Sequence, residues 1–416
     1  GSSWEQALDV AGFRKLLSGS VDLSKSTIYM SQGKYVMSEE SGLGVIVRKN
    51  VKAIKGGYSQ FSEGTDVSAR DIDTYVTVIS GDVNGNKQAD AGDCGLLLVK
   101  KGHITIEGVT FQYGYVSEAD ASTTECGSGI YVSGGAGDTS IELTDCVIRD
   151  CTSGVTTSAK QGGPAVFVLS GQVRLNNVNL LDNTAVGRGG AVRCNSKTAV
   201  VFMNGCLLKG NSHNGSWGNG IQMSEGHICI NNTTLIDNMG TGAALNGGGS
   251  ILLTNNTIIG NANDSHGAVR CETGVGGDTK FINNLLISEN PSAPSFNLNG
   301  SNFEAFSKGY NVYQRVTGIT MSASDTAYPN QVNGALNEEG VYVWDLNQIG
   351  SVKGYATKQA EIEVAKSFNP VASPIANLGE VFVEWVGEDA FGIDQREVTR
   401  NANKMQAGAY DAVLTN

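Results

Sequence analysis

The chain has 416 residues, a formal net charge of −12, 55 glycines and 6 prolines. Because nucleic acids bind surfaces rich in Lys and Arg, this acidic balance disfavours nucleic acid as a partner. No stretch approaches about 18 consecutive apolar residues, so no transmembrane segment is expected.

The first predicted element is a short amphipathic helix in the stretch WEQALDVAGFRKLL, which begins at Trp4. Its apolar residues recur at helical spacing, so residues 1–25 are predicted to cap the open end of the structure that follows. Strand-like segments then begin near Ile28, Val51 and Val76. Their steps of about 25 residues predict successive turns of a solenoid.

The segment GDVNGNKQADAGD is rich in oxygen ligands. Five of its side chains fall at relative positions 1, 3, 5, 9 and 12, the ligand spacing of an EF-hand-type calcium loop: Asp82, Asn84, Asn86, Asp90 and Asp93. Lys87 stands at position 6, where that loop needs Gly for its sharp turn. Two interpretations stay open, a structural Ca²⁺ site and an Asx-rich loop without metal, and no cofactor is required.

From Ile104 to Asn290 one pattern recurs seven times, in which apolar residues alternate, skip two positions and alternate again. The copies read ITIEGVTFQYG, IELTDCVIRDC, VRLNNVNLLDN, VFMNGCLLKGN, ICINNTTLIDN, ILLTNNTIIGN and KFINNLLISEN. Alternation is typical of strands with one buried face, and the skip indicates a corner. The prediction is an all-β fold, a single-stranded right-handed parallel β-helix of about 10 coils. It should span residues 26–313, with a C-terminal capping segment at 314–416.

Three columns of aligned residues make this prediction specific. The first should stack in the interior: Ile106, Leu143, Leu175, Met203 and Ile230. The second falls at the corner and holds residues that tolerate a left-handed backbone: Gly108, Asp145, Asn177, Gly205, Asn232, Asn255 and Asn284. The third is rich in Asn, which favours an internal amide ladder over a polar binding strip: Gly114, Cys151, Asn183, Asn211, Asn238, Asn261 and Asn290.

A further strand precedes five of the copies, in GSGIYV, GPAVFV, GGAVRC, GNGIQM and HGAVRC. One set of its residues should point inward: Ile130, Val132, Val166, Val168, Val192, Cys194, Ile221, Met223, Val269 and Cys271. The residues between them should then face solvent: Tyr131, Phe167, Arg193, Gln222 and Arg270. Insertion loops at 115–126, 152–162, 184–189, 212–219 and 262–266 enter the same strand and should gather along one edge, with Arg188, His213, Trp217, Asp264 and His266.

Aromatic faces stack on sugar rings and Arg pairs bidentately with carboxylates. The column and its loops therefore predict a groove for a long, uronate-containing glycan, and the alternative is a set of ordinary exposed side chains.

The eight cysteines show no metal-binding spacing and no dense disulfide framework. Cys146, Cys194, Cys206 and Cys271 fall in inward columns and are expected to be small buried side chains. Cys126 and Cys151 flank an insertion and are the candidate pair if a disulfide exists.

Several segments resemble a known family. The opening SSWEQAL with IYMSQGKYV, the stretch from IKGGYSQF to TVISGDVNGN, and the end from ASPIANLG to MQAGAYD are similar to bacterial right-handed β-helix proteins of the pectin-lyase-like superfamily. The GGAV…N units resemble the repeats of chlamydial polymorphic outer-membrane proteins. This resemblance implies an extracytoplasmic protein of a Bacteroidetes-type bacterium, secreted or attached to the surface, and we expect that a leader has been removed.

Three functions stay open. The first is a non-catalytic monomer that binds polysaccharide or host glycan along an exposed parallel sheet. The second is a polysaccharide lyase, for which Arg193, Arg270 and Lys160 are the candidate bases. The third is a surface spacer or adhesin that displays its loops. A hydrolase would need two carboxylates on adjacent coils, but Asp150, Asp182 and Asp237 read better as turn residues.

Overall fold

The computed structural model describes residues 3–408 except 38–41, 43, 65, 122–126, 136, 158–161, 216, 261–262, 264–265, 272–277, 291, 299–305, 315–321, 328–333, 337–341, 345–354, 396, 404 and 406–407. Within these residues the chain winds through stacked parallel sheets, each turn adding one strand to each sheet it passes. The predicted all-β parallel β-helix is therefore confirmed.

Sheet A runs the length of the stack and contains β1 (Leu23–Ser31), β4 (Val51–Tyr58), β6 (Leu97–Glu107), β10 (Thr139–Thr144), β13 (Val166–Asn176), β17 (Ala199–Asn204), β21 (His227–Asn231), β24 (Ser250–Thr254) and β27 (Lys280–Ile282). The interior column of the sequence lies in register across this sheet, because Leu143 pairs with Ile106 and Leu175, and Met203 pairs with Leu175 and Ile230. All five side chains are fully buried, as predicted.

Sheet B follows the corner and contains β2 (Gly33–Val36), β5 (Thr77–Ser80), β7 (Thr110–Gln112), β11 (Val147–Arg149), β14 (Asn179–Leu181), β18 (Leu207–Lys209), β22 (Thr234–Ile236), β25 (Thr257–Gly260), β28 (Leu285–Ser288), β30 (Val312–Tyr313) and β31 (Thr326–Ala327). The segment near Val76 was expected to begin a new coil. That expectation is wrong, because β5 pairs with β2 and β7 and so belongs to the coil that β4 begins.

Sheet C precedes sheet A in each coil and contains β3 (Val45–Arg48), β9 (Ile130–Ser133), β16 (Val192–Cys194), β20 (Ile221–Met223), β23 (Leu245–Gly247), β26 (Val269–Cys271) and β29 (Phe296–Leu298), with the first residues of β6 and β13. The ten residues predicted to point inward here all join the buried interior cluster. The sequence prediction missed β23, which lies in the Gly-rich segment GAALNGG.

The corner between sheets A and B holds one left-handed residue per coil. Six of the seven predicted residues have a positive φ, from 51° at Asp145 to 64° at Gly108. In the last copy Asn283 (φ 58°) takes this place instead of Asn284, so the prediction was one residue off there. A second left-handed position follows sheet B, where Asp150, Asp182 and Asp237 have φ of 52° to 54° and are turn residues, as expected.

The predicted amide ladder exists over three coils. The Asn183 Nδ2 donates to Asn211 Oδ1 at 2.9 Å, and the Asn211 Nδ2 donates to Asn238 Oδ1 at 2.8 Å. Asn261 lies outside the described residues, and the Asn290 Oδ1 accepts the Ser292 amide, so the extension of the ladder beyond Asn238 stays a prediction. A second ladder, not predicted, stacks Asn256, Asn284 and Asn311 at the corner between sheets A and B.

Seven cysteines in the described residues are buried: Cys94, Cys146, Cys151, Cys194, Cys206, Cys229 and Cys271. Burial raises the pKa of the Cys146, Cys194 and Cys206 thiols to about 12. The predicted inward position of Cys146, Cys194, Cys206 and Cys271 is confirmed. Cys126 lies outside the described residues, so its pairing with Cys151 stays a prediction.

The N-terminal helix α1 (Val10–Ser18) begins later than predicted, because the Asp9 carboxylate caps it by accepting the Gly12 amide at 2.7 Å. Its buried residues Phe13 and Leu17 join the interior cluster over the first coils.

Near the other end, β32 (Gly334–Leu336) and β33 (Tyr342–Trp344) form an antiparallel pair. Helices α2 (Lys358–Lys366) and α3 (Leu378–Val386) and a 3₁₀ turn (Glu388–Gly392) lie along the outer face of sheet A.

Candidate functional site

The predicted outward column of sheet C is in register but is not exposed. Its residues pair from strand to strand along the stack, in the order Tyr131, Phe167, Arg193, Gln222, Asn246 and Arg270. The prediction that this column faces solvent is nevertheless wrong. Tyr131 and Phe167 are each 1% exposed, Gln222 is 2% and Arg193 is 7%, whereas Arg270 is half-buried.

The insertion loops are the reason for this burial. Four of them stack into sheet D, made of β8 (Tyr115–Val116), β12 (Thr152–Ser153), β15 (Thr184–Ala185) and β19 (Ser212–His213). The loops do gather along one edge, as predicted, but they fold down over the column. Tyr131 and Phe167 pack there with Val116, Ala121 and Val155 in a second apolar cluster, because covering large rings is favourable by about 25 cal/mol per Å².

Contacts between successive loops hold this cover in place. The Glu118 carboxylate accepts the Thr156 amide at 2.6 Å and also bonds Thr157. These hydrogen bonds lower the pKa of Glu118 to about 2. One loop further, the Arg188 guanidinium lies 5.8 Å from the centre of the Trp217 ring.

His213 is also buried, 6% exposed, and its ring is committed to structure. Its Nε2 bonds Asn219 Oδ1 at 2.8 Å, and its Nδ1 accepts the Gly215 amide at 2.9 Å. Burial lowers the pKa of His213, so its ring is neutral at pH 7. Of the predicted loop residues, Arg188 is exposed and Trp217 and His266 are half-buried, whereas Asp264 lies outside the described residues.

The two described candidate bases of a lyase, Arg193 and Arg270, do not lie together. The Arg193 guanidinium donates to Asn195 Oδ1 at 3.0 Å and lies over the Phe167 ring at 5.6 Å, beneath the loops. Lys160 lies outside the described residues, and Arg270 stands three strands away from Arg193 in sheet C.

The five predicted calcium ligands come together in one loop, and their carboxylates accept internal hydrogen bonds. The Asp90 carboxylate accepts from Asn84 Nδ2 at 2.9 Å and from Asn86 Nδ2 at 2.7 Å. Asp93 accepts the Val83 and Asp90 amides, and buried Asp82 accepts from Lys34 Nζ at 2.5 Å.

Lys87 has a φ of 63°, the left-handed conformation that Gly would supply in a calcium loop. Among the described residues no group of three or more His, Cys, Asp or Glu side chains is placed to hold a metal ion. This bonding is typical of an Asx-rich loop. A Ca²⁺ ion here stays a prediction.

The C-terminal helices cover the outer face of sheet A at β17, β21 and β24. Outward-facing Val200, Phe202, Cys229 and Leu252 form one buried cluster with α2 and α3. The Phe202 ring centre lies 5.2 Å from that of Phe382 and 5.8 Å from that of Trp385. The sequence contained a signal for this, because AVVFMN and SILLTN lack the polar alternation of a strand with one wet face.

Polar contacts fix the same segment to the corner of the coils. The buried Glu361 carboxylate accepts from Asn283 Nδ2 at 2.8 Å and from Asn255 Nδ2 at 2.5 Å. The Arg400 guanidinium donates to Asn232 Oδ1 at 2.8 Å. Corner asparagines thus serve both the left-handed turn and the attachment of a segment more than 70 residues away in sequence.

On sheet B the outer face is open over four coils, at β7, β11, β14 and β18. Its inward residues Phe111, Ile148, Leu180 and Leu208 are fully buried in the interior. Its outward residues are Thr110, Gln112, Val147, Arg149, Asn179, Leu181, Leu207 and Lys209, and we name them the open face. Arg149 is exposed and the other seven are half-buried.

The open face ends at β22, where Thr234 donates to Gln395 Oε1 at 2.7 Å and Ile236 is fully buried. Coils lie about 4.8 Å apart, so Arg149 and Lys209, two coils apart, stand about 10 Å from each other along the stack. Leu181 lies between these two cations, and Leu207 lies on the same strand as Lys209. Such a surface can contact both the acidic and the apolar parts of an extended polymer.

The fold defines a class, a parallel β-helix, and in this molecule sheet B carries an open outer face. The family model described as "Right handed beta helix region" matches residues 75–286, just over half of the chain, and the protein belongs to that family. No curated protein and no solved structure matches the sequence. Within the described residues, the helices are too short or too polar to span a membrane.

Proposed function

We propose that this protein is an extracytoplasmic, non-catalytic β-helix protein that binds a uronate-containing polysaccharide along the open face. The observation that supports the proposal is the pair Arg149 and Lys209, presented two coils apart on the part of parallel sheet B that remains open.

The chemistry of the open face suits such a polymer. The Arg149 guanidinium is held by Asp150, whose carboxylate lies 2.6 Å from its Nε, and that hydrogen bond raises the pKa of Arg149. The bond fixes the side chain on the sheet, which reduces the entropy lost on binding. Val147, Leu181 and Leu207 supply apolar contacts for the C–H faces of sugar rings, and Gln112 and Asn179 supply amide hydrogen bonds.

Binding of a polygalacturonate or alginate oligosaccharide, measured by calorimetry, tests the proposal. The double variant Arg149→Gln, Lys209→Gln is expected to weaken binding by about tenfold or more, and added salt should weaken the wild-type complex. The control is Arg48→Gln, Lys197→Gln, which removes the same charge from two exposed residues outside the open face. Equal losses in the two double variants, or no binding of any acidic glycan, would reject the open face and leave the spacer function.

The non-catalytic part of the proposal is tested separately. A lyase leaves an unsaturated uronate that absorbs in the near ultraviolet, with or without a divalent ion. We expect no absorbance rise on uronic polymers, because Arg193 is covered by loops. A rise that Arg193→Gln or Arg270→Gln abolishes would instead establish the lyase.

A further inference from the structure

A cavity of about 430 Å³ lies at the N-terminal end of the stack, far from the open face in sequence. One wall is the first strand β1, from Ser26 to Ser31, and the other is the segment from Ser3 through helix α1, with Trp4, Leu8 and Phe13. Its volume is within the usual range of small-molecule sites, about 300–1,000 Å³.

Aromatic rings are fixed at this cavity. Trp4 and Tyr29 both line it, and both contact buried Tyr58, with ring centres 5.6 Å and 5.4 Å apart. The Trp4 indole N–H donates to the Asp66 carbonyl oxygen at 2.8 Å, which sets the orientation of its ring. Tyr29 keeps 40% of its surface exposed, so an aromatic face is available to a ligand.

Hydrogen-bonding groups lie beside these rings. The Tyr35 hydroxyl is 3.1 Å from the Ser31 hydroxyl, and both residues line the cavity with Ser26 and Thr27. Within the described residues β1 pairs with β4 alone, so its other edge presents unpaired peptide groups. No Lys, Arg, Asp, Glu or His is among the described lining residues.

We infer that this cavity binds a neutral sugar unit of a glycan. A hexose ring offers C–H faces that stack on Tyr29 and Trp4, and hydroxyl groups that pair with Tyr35, Ser31 and the β1 edge. A uronate would bring a charge with no cation among the lining residues to pair with it. The inference extends the proposed glycan binding to a second site and does not depend on the open face.

The test is calorimetry of the whole chain with neutral tetrasaccharides of glucose, galactose, mannose or xylose. Tyr29→Ala is expected to weaken binding about tenfold or more, and Tyr29→Phe should retain it because the ring remains. Tyr35→Phe, which keeps the ring that packs 6.3 Å from Phe13, should weaken binding about threefold or more.

Two controls separate this site from the open face. Phe61→Ala removes an aromatic ring that is 80% exposed and does not line the cavity, so binding of neutral sugar should not change. Arg149→Gln, Lys209→Gln should likewise leave neutral-sugar binding intact while it weakens the acidic polymer.

Three results would overturn the inference: no binding of any neutral tetrasaccharide up to about 10 mM, binding indifferent to Tyr29→Ala, or tighter binding of an extended neutral peptide along β1.

Discussion

Sheets A and B are built from the same repeats, but their outer faces differ. In the coil with the sequence VFMNGCLLKG, Phe202 of sheet A is fully buried under α3, and Leu207 of sheet B is half-buried at the open face. The inward residues of both sheets are equally buried. The repeat therefore determines which residues form the interior. Segments outside the repeat determine which outward residues remain available for binding.

The largest effect on stability is expected from a substitution that disrupts the packing of the C-terminal helices on sheet A. Phe202→Ala removes a ring that contacts Phe382 and Trp385, and it should lower the free energy of unfolding by about 3–5 kcal/mol. Leu207→Ala in the same coil should cost about 1 kcal/mol or less, because its side chain is already partly in water. Urea unfolding of both variants measures the difference, and equal costs would show that the C-terminal helices do not cover sheet A in solution.

The ladder of Asn183, Asn211 and Asn238 lies beside sheet B, and Asn211→Leu breaks it. The change removes the acceptor of the Asn183 amide and side chain and leaves the Leu180 carbonyl without its donor. Because these buried polar groups then lack hydrogen-bond partners, the free energy of unfolding should fall by about 3 kcal/mol. Asn214→Ala, at an exposed position in the next loop, is the matched control and should be nearly neutral. A neutral Asn211→Leu would contradict the ladder.

Asn232 forms a left-handed corner of the coils and also bonds the C-terminal segment, and two substitutions separate these roles. Asn232→Gly keeps the φ of 53° available but removes the contacts to Arg400, Ala390 and Ile393, at a cost of about 1–2 kcal/mol. Asn232→Val should add about 1–2 kcal/mol of left-handed backbone strain. Unfolding curves give both values, and identical values would mean that this corner is not left-handed in solution.

The smallest effect concerns the loop of residues 82–93, which follows β5 of sheet B. Because its carboxylates accept internal hydrogen bonds, adding about 1 mM Ca²⁺ to chelator-treated protein should move Tm by less than about 1 °C. A rise of several degrees that Asp90→Asn removes would establish the calcium site instead.

The parts of the fold that depend on local rules were predictable from the sequence. Corner residues such as Asp145 and Asn177 reveal a left-handed backbone by their type, and Asn183 and Asn211 reveal a ladder by their spacing. In the last copy two adjacent asparagines, Asn283 and Asn284, satisfy the same rule, which is why the prediction was one residue off.

The exposure of the candidate site was not predictable in the same way. Tyr131 and Phe167 do occupy the outward side of sheet C, but their burial depends on how loops of unequal length fold over them, which the repeat pattern does not show. The cover of sheet A comes from residues 243 positions further along the chain, as in the bond from Trp385 to Glu142. The lost alternation of AVVFMN and SILLTN indicates that this face is covered, but it does not identify the distant segment that covers it.

The buried thiols distributed along the stack can report which part of the folded molecule opens. Cys206 faces the interior between the sheets, whereas Cys229 faces the C-terminal helices, and burial raises the pKa of both thiols. A thiol-reactive probe reaches Cys229 when the helices lift away and reaches Cys206 only when the coil itself separates. The ratio of the two modification rates would therefore report, without any added label site, whether the outer face of sheet A is ever uncovered in the folded molecule.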